Sequence, residues 1–228
     1  MLVKDIWLSK ASNINCFNVK TFSKNNTKII KKNMLITCKI KGDKKVNLVN
    51  YKTDSKLQLI GQNVIFSKNI NIRNIRPNIN LDFEVSKKKD KQKIINICLK
   101  NMKSSRFDLD LRIPRIKVKK IRVSWISSYF LKLDNKFIYS VIFKNKLVGL
   151  LCLLKKKKNI TIDLIAISKK YNGKGLGSAI IDNLQLQFPK LNNIIVGTYK
   201  KNKKAMLFYK KYGFKEIKKY NVFHYYEK

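Results

Sequence analysis

Apolar positions in the second half of the chain follow one clear order. Val118, Ile121, Trp125 and Tyr129 recur at helical spacing, which predicts a helix over Lys117–Leu131. Phe137–Phe143 reads as a strand and Asn145-Lys146 as a turn. Leu147–Leu154 (LVGLLCLL) is apolar throughout, the pattern of a strand buried on both faces. Lys155–Asn159 is polar and predicts a hairpin turn, and Ile160–Ile167 is the next strand. A loop with Gly173, Gly175 and Gly177 then opens a helix from Ser178 to about Phe188, which Pro189 ends. Ile194–Thr198 predicts a strand and Asn202–Tyr212 a helix. Gly213 suits a left-handed cap after that helix. Phe214–Ile217 and Val222–Tyr226 complete the pattern as two short strands. The expected architecture is mixed α/β: a mostly antiparallel sheet flanked by helices, in a unit of about 120 residues.

The first half is patterned differently. Met34–Ile40, Val46–Tyr51 and Asn63–Phe66 are short β-like runs, separated by Asn, Lys, Gly and Asp clusters that read as turns. The helical signal is weak there. Lys87–Asp90 is a polar break, and residues 91–103 predict a short amphipathic helix. No internal repeat is visible. The change in pattern near residue 100 predicts a smaller N-terminal α/β domain over residues 1–100 and a larger unit over residues 101–228.

Composition narrows the class. The chain has 228 residues, 44% of them hydrophobic, enough to support a packed core. Its longest apolar run is far shorter than the roughly 20 residues of a membrane helix, so no membrane span is expected. The start, Met1–Ser12, contains Asp5 and lacks the apolar stretch of a signal peptide, so a cytoplasmic protein is expected. Cys16, Cys38, Cys98 and Cys152 are widely spaced and the chain has one His, His224. That pattern predicts reduced, mostly buried thiols and no metal site.

The charge needs separate treatment. Lys plus Arg number 52 against 13 Asp plus Glu, a formal net charge of +39. Such a balance invites a nucleic-acid partner. Lys, however, outnumbers Arg about eight to one, and Lys, Ile and Asn make up roughly two-fifths of the chain. These residues have A/T-rich codons, whereas selection for nucleic-acid affinity favours Arg, with its planar fork. The lysines are also dispersed, as at Lys87–Lys89, Lys155–Lys158 and Lys200-Lys201. Codon drift onto a solvated surface and a selected polyanion surface remain two readings, with the Lys bias favouring drift. Under either, the field attracts polyphosphate ligands at low salt.

The segment Leu164–Ala179 holds the strongest chemical signal. A strand runs into a glycine-rich loop and the loop opens a helix. Glycines let the backbone turn and approach a ligand closely. Amides at the helix start, with the positive end of the helix dipole, suit a phosphate. A tight turn into a helix would give the same pattern. A dinucleotide-binding fold fits poorly, because its glycine spacing is absent and the preceding strands read as antiparallel.

A second segment follows at Asn202-Lys-Lys-Ala-Met-Leu-Phe-Tyr-Lys-Lys-Tyr-Gly-Phe214. Together with the strand at Leu164–Ile167 and the loop Asn-Gly-Lys-Gly-Leu-Gly, it resembles the GCN5-related N-acetyltransferase family in order and spacing, over about residues 135–228. The resemblance implies acetyl-CoA as donor and no metal. It implies that the pantetheine arm lies along Ile165, Ala166 and Ile167, and that the pyrophosphate sits on the loop formed by Asn172, Gly173, Lys174, Gly175, Leu176, Gly177 and Ser178. Asn172 stands where the family usually has Arg or Gln, which implies a weaker contact there. Tyr209 matches the general acid that protonates the leaving thiolate, and Asn202 matches a residue bonding the pantetheine or pyrophosphate region. Asn202 also suits a helix N-cap. Lys215 is a candidate for a CoA phosphate, equally readable as a solvated lysine.

Upstream, Ser105–Pro114 and Trp125-Ile126 resemble the sugar-amine branch of that family, the TDP-fucosamine (TDP-4-amino-4,6-dideoxygalactose) acetyltransferases. Leu59–Phe66 and the aromatic, His-containing Tyr220–Tyr226 resemble the same branch. This implies a nucleotide-linked amino sugar as acceptor, within polysaccharide biosynthesis. Arg106, Asp108 and His224 are candidate acceptor contacts, each also readable as a structural residue. The base is open between Asp163 and a water chain. A protein N-terminus or another small amine is the alternative acceptor, and a non-catalytic RNA or polyanion binder is the alternative function. A homodimer is compatible with all three.

Overall fold

The chain builds one sheet around a local defect, and the defect places the cleft. A computed structural model describes residues 2–20, 32–42, 56–72, 75–131 and 133–227. The strands are β1 (Val3–Lys4), β2 (Asn15–Val19), β3 (Met34–Lys41), β4 (Leu57–Asn69), β5 (Asp82–Val85), β6 (Lys136–Phe143), β7 (Lys146–Lys156), β8 (Asn159–Ile167), β9 (Asn193–Tyr199) and β10 (Lys215–Glu227). They lie in the order β1-β2-β3-β10-β4-β9-β8-β7-β6-β5. The pairs β2–β3 and β8–β9 are parallel, and the other neighbours are antiparallel. The helices are α1 (Ile6–Ser12), α2 (Lys91–Asn101), α3 (Arg106–Leu109), α4 (Arg115–Ser128), α5 (Leu176–Gln187) and α6 (Lys203–Lys211).

Alternation along β7 explains its apolar run. Leu151 and Leu153 pack with α5 and α6, in a cluster that includes Ile180, Leu184 and Tyr209. Leu150 and Cys152 pack on the opposite face with Ile94, Ile95 and Cys98 of α2 and Ile126 of α4. Each face of a strand shows every second residue, so a strand covered on both sides must be apolar throughout. Lys144 and Asn145 turn the β6–β7 hairpin with φ of 49° and 57°, the mirror-image turn that suits twisted strands. The turn therefore sits one residue earlier than the spacing predicts, since Lys146 already pairs with Phe143.

Three features of the first half depart from its sequence pattern. The helix α1 forms where the helical signal is weak. Asp5 caps it by accepting from the Leu8 amide at 2.9 Å, and Leu8 and Ala11 pack against Val118 and Ile121 of α4. Seven residues are too few to display a helical period. The run Asn63–Phe66 is only the middle of a thirteen-residue β4. The strand expected over Val46–Tyr51 lies outside the described residues. At the other end of the chain, the two short strands expected after Gly213 are a single strand, β10. Register shifts at Glu216/Lys218 and Val222/Phe223 let β10 bend while it pairs with β4. Polar residues between the two apolar runs hide its continuity. β4 lies between β10 and β9, so segments from both sides of residue 100 share the sheet.

The decisive irregularity is in β8. Leu153 faces Ile162 and Cys152 faces Leu164, so Asp163 is an extra residue without a partner on β7. Such a bulge bends the strand and ends pairing. The parallel ladder between β8 and β9 runs from Asn159↔Asn193 to Ile162↔Val196 and goes no further. Beyond it, Leu164–Ile167 is held by β7 alone. Gly149, opposite Ile167, makes that pairing close: a Cβ there would lie 2.6 Å from the Ala166 carbonyl oxygen. Gly149→Ala is expected to destabilise the fold by about 1–3 kcal/mol. Urea unfolding of the variant beside the parent checks this, and an unchanged midpoint would contradict it.

Candidate active site

Where β8 leaves β9, a cleft of about 560 Å³ opens. Its walls are Thr161–Ile165 of β8, Val196–Tyr199 of β9 and Asn202, Ala205 and Tyr209 at α6. A second wall comes from the start of the chain and from residues 101–107. Among the described residues the backbone edge of Leu164–Ile167 that turns toward β9 has no strand partner. Ile165 lines the cleft, and Ala166 and Ile167 continue the same edge. An edge of this kind can accept an extended amide-bearing chain as an added strand.

The edge leads into the glycine loop. Lys169–Tyr171 forms a 3-10 turn, Asn172 is extended, and Gly173 and Gly175 take φ of 76° and 73°. Both values favour glycine. Gly175 caps α5 without a side chain, which leaves the amides of Leu176, Gly177 and Ser178 without an intrahelical acceptor. The first helical bond is made by the Ala179 amide to Gly175. The Ser178 hydroxyl folds back onto the Gly175 carbonyl at 2.6 Å. Lys174 lies with its Nζ 5.5 Å from the Tyr171 ring. Gly177 has a different duty: a Cβ there would meet the Phe208 ring at 3.0 Å, so α5 and α6 pack closely at this point.

Helix α6 brings two further residues to the cleft. Tyr209 is buried between Phe66, Phe208 and Phe214, with ring centroids at 5.8, 5.3 and 5.3 Å. Burial pushes its phenol well above the ordinary tyrosine range, so it stays protonated and able to donate. Asn202 is the N-cap of α6, accepting from the Ala205 amide at 3.3 Å. Its amide group also donates to the Ser104 hydroxyl at 3.2 Å, which ties α6 to the opposite wall.

The bulged Asp163 points toward α4. Its Oδ2 accepts from Trp125 Nε1 at 2.7 Å and from the Tyr129 hydroxyl at 2.5 Å. Burial, with the Asp163 charge adding to it, raises the Tyr129 phenol, which keeps that donor protonated. Asp163 and Trp125 line the cleft. The spacing of Trp125 and Tyr129 reveals a helix face, but nothing in the sequence reveals that both side chains meet one carboxylate.

The remaining candidates separate. Arg106 lines the cleft. Asp108 does not: it completes a capping box with Ser105 and pairs with Arg122. Lys215 is an exposed residue at the start of β10, away from the cleft lining. His224 is fully buried on β10, with Nδ1 2.9 Å from Asp110 Oδ2. Burial alone would raise the Asp110 carboxyl. Hydrogen bonds from His224 and Arg112 outweigh it and hold the group well below the usual carboxylate range. Asp110 is thus ionised and the His224 Nδ1–H donates to it. All four cysteines are buried, and burial raises the thiols of Cys16, Cys98 and Cys152, the second to about 12. None of these three is a ready thiolate. Among the described residues no three His, Cys, Asp or Glu side chains cluster as metal ligands, and no helix is long and apolar enough to cross a membrane.

The family model for the acetyltransferase (GNAT) domain matches residues 134–216. The chain carries an N-acetyltransferase domain. The matched segment runs from β6 to the first residues of β10 and contains the bulge, the glycine loop and Tyr209. Among solved structures, the chain is similar to a functionally unknown conserved protein from Staphylococcus epidermidis ATCC 12228. The TM-score is 0.73 at 13% identity, over 94% of this chain and 85% of that one. It is also similar to a GCN5-related N-acetyltransferase from Kribbella flavida, with TM-score 0.53 and 6% identity over 84% of this chain and 68% of that one. A GCN5-related N-acetyltransferase from Sphaerobacter thermophilus gives TM-score 0.55 and 8% identity, over 88% of this chain and 63% of that one. At these identities the likeness is one of fold. No curated protein matches the chain. The matched segment supplies the β8, β9 and α6 walls of the cleft, while α1, β3, β4 and residues 101–107 lie outside it.

The buried pair behind the cleft gives a pH dependence. Burial pushes the His224 imidazole down to about 4. The hydrogen bond to Asp110 opposes that shift, and the Arg106 charge adds to it. The unfolded chain takes up this proton near pH 6.5, whereas the folded chain refuses it until about pH 4. Stability is therefore expected to fall as pH drops through that window, by on the order of 3 kcal/mol. Urea unfolding across a pH series checks the slope. A flat profile between about pH 6.5 and 4 would rule out a neutral, buried His224.

Proposed function

We propose that the chain transfers an acetyl group from acetyl-CoA to the amine of a nucleotide-linked amino sugar, in the cytoplasm, for surface polysaccharide. The carrying observation is the end of the β8–β9 ladder at Ile162↔Val196, beside the glycine loop and in one cavity with Tyr209. In this reading the free edge of Leu164–Ile167 pairs with the amides of the pantetheine arm. The amides of Leu176, Gly177 and Ser178 receive the diphosphate, with Gly173 and Gly175 shaping their approach and Lys174 adding charge. Asn172 contributes less than a longer side chain would. Asn202 borders the arm as well as capping α6, and Lys215 takes no part unless a phosphate reaches it.

The chemistry is direct. The acceptor ammonium first loses a proton to Asp163 or to a water chain, then its nitrogen forms a bond to the acyl carbon while the carbon–sulfur bond breaks. Holding both reactants in register supplies much of the acceleration. A backbone amide of the free β8 edge stabilises the charge on the acyl oxygen. Tyr209 O–H gives its proton to the departing sulfur, and the raised pKa keeps that proton available across the working pH range. Asp163, with one oxygen engaged by Trp125 and Tyr129, faces the position of the incoming amine. The nucleotide-sugar acceptor is supported by the Ser105–Pro114 and Trp125 segments, which supply Ser105, Arg106, Phe107 and Trp125 to the wall opposite the donor edge.

Calorimetry on the folded protein is expected to detect binding of coenzyme A, and its absence would remove the donor assignment. Tyr209→Phe is expected to lower kcat by about 100-fold or more while coenzyme A affinity stays within a few fold. Unchanged turnover would take Tyr209 out of the mechanism. Thiol release, measured across TDP- and UDP-linked amino sugars and across peptides with free N-termini, identifies the acceptor. Turnover of the peptides alone would replace the sugar reading.

A further inference from the structure

The wall of the cleft lined by Arg106 carries positive charge with no bonded counter-ion among the described residues, although Asp5 acts on it from a distance. Arg106, at the start of α3, lines the cavity, and its Nε is buried with no hydrogen-bond partner. Among the described residues its guanidinium has no ion pair. The Phe107 ring, 4.6 Å away, is its stacking neighbour. Nearby arginines are treated differently: Arg112 pairs with Asp110, and Arg122 with Asp108. Lys39 of β3, an exposed residue, borders the same cavity, and partial desolvation there together with repulsion from Arg106 lowers its pKa. A buried, unpartnered cation beside a second cation is costly for the empty protein. An oxyanion between them would remove that cost, and the fork of an arginine is the geometry that binds one.

The other pole is Asp163. Its Oδ2 holds Trp125 and Tyr129, and among the described residues Oδ1 has no hydrogen-bond donor. The two poles are well separated. Arg106 acts electrostatically on His224 of β10 and on Lys39 of β3, whereas Asp163 is on β8. Two strands, β4 and β9, lie between β10 and β8. At about 4.8 Å per spacing, the three spacings from β10 to β8 come to on the order of 14 Å. An α-amino acid, whose amine and carboxylate share one carbon, cannot bridge that gap.

Resting on the acetyl-transfer reading above, we propose that the acceptor is an amine that also bears a phosphate-type oxyanion, the oxyanion held by Arg106 and Lys39 and the ammonium by Asp163. Arg106 and Lys39 set acceptor choice and take no part in donor binding.

Two measurements test this with the full chain. Inorganic pyrophosphate is titrated in thermal unfolding with saturating coenzyme A present, so that the glycine loop is already filled. A rise in Tm is expected for the parent and for the control Lys155→Gln on the β7–β8 hairpin. It is expected to be lost in Arg106→Gln and reduced in Lys39→Gln. Equal rises in all four proteins would overturn the proposal, as would none in the parent. Each variant's own Tm and coenzyme A affinity report whether it is folded. In turnover, a diphosphate-linked amino sugar and its methyl glycoside are compared. The parent is expected to favour the diphosphate by at least about 30-fold in kcat/KM, the size of one strong charged contact. Arg106→Gln is expected to bring that ratio near one, chiefly through KM. Coenzyme A binding with equal turnover of both acceptors would sink the oxyanion site and leave acetyl transfer standing. Absence of coenzyme A binding would sink the reading beneath it.

Discussion

One extra residue in a strand governs the site. Asp163 has no partner on β7, and the parallel ladder to β9 ends at the residue before it. An open edge in the middle of a sheet leaves polar backbone groups without partners, which is costly unless water or a ligand supplies them. The cost is local because Trp125 and Tyr129 hold the bulged carboxylate from one face, while Gly149 lets β7 stay close to the freed segment. The same displacement brings the free β8 edge and Tyr209 to one cleft, and that edge leads on into the glycine loop. Remove the bulge and β8 would pair onward with β9, closing the cleft.

The two walls of that space differ in character. The side proposed to take the donor is mostly backbone: a free strand edge and three helix amides, placed by glycines. The side proposed to take the acceptor is mostly side chain: Arg106, Lys39, Trp125 and Asp163. Backbone recognition suits a ligand common to a whole fold, since amides are present whatever the sequence. Side chains can change without disturbing the sheet, so they suit the part of the reaction that varies. The acetyltransferase match stops short of most of the acceptor wall, which is consistent with that division.

Much of the second half was legible in the residues, because its elements declare themselves by period. The unbroken apolar run of β7, the glycines before α5 and the capping Asn202 each have a local physical signature. Long-range features did not. The bulge at Asp163 is a matter of register between two strands, and no window of β8 alone contains it. β10 read as two strands because polar residues separate its two apolar runs, and α1 was too short to show a helical face. Arg106 could be singled out as a residue, but its lack of a partner depends on Asp108 and Asp110 being claimed by Arg122 and Arg112. His224 drew attention as the one histidine, yet its bond to Asp110 spans distant segments and is structural in geometry.

The position of β4 bears on how the chain reaches this state. It sits between β10 and β9, so both of its neighbours are synthesised long after it. Until they emerge, β4 is a strand with two unsatisfied edges and apolar side chains such as Val64 and Phe66 exposed. Contacts so far apart along the chain close slowly, and such intermediates tend to aggregate. The interleaving that joins the two walls of the cleft therefore also sets a late, long-range closure as a condition of folding.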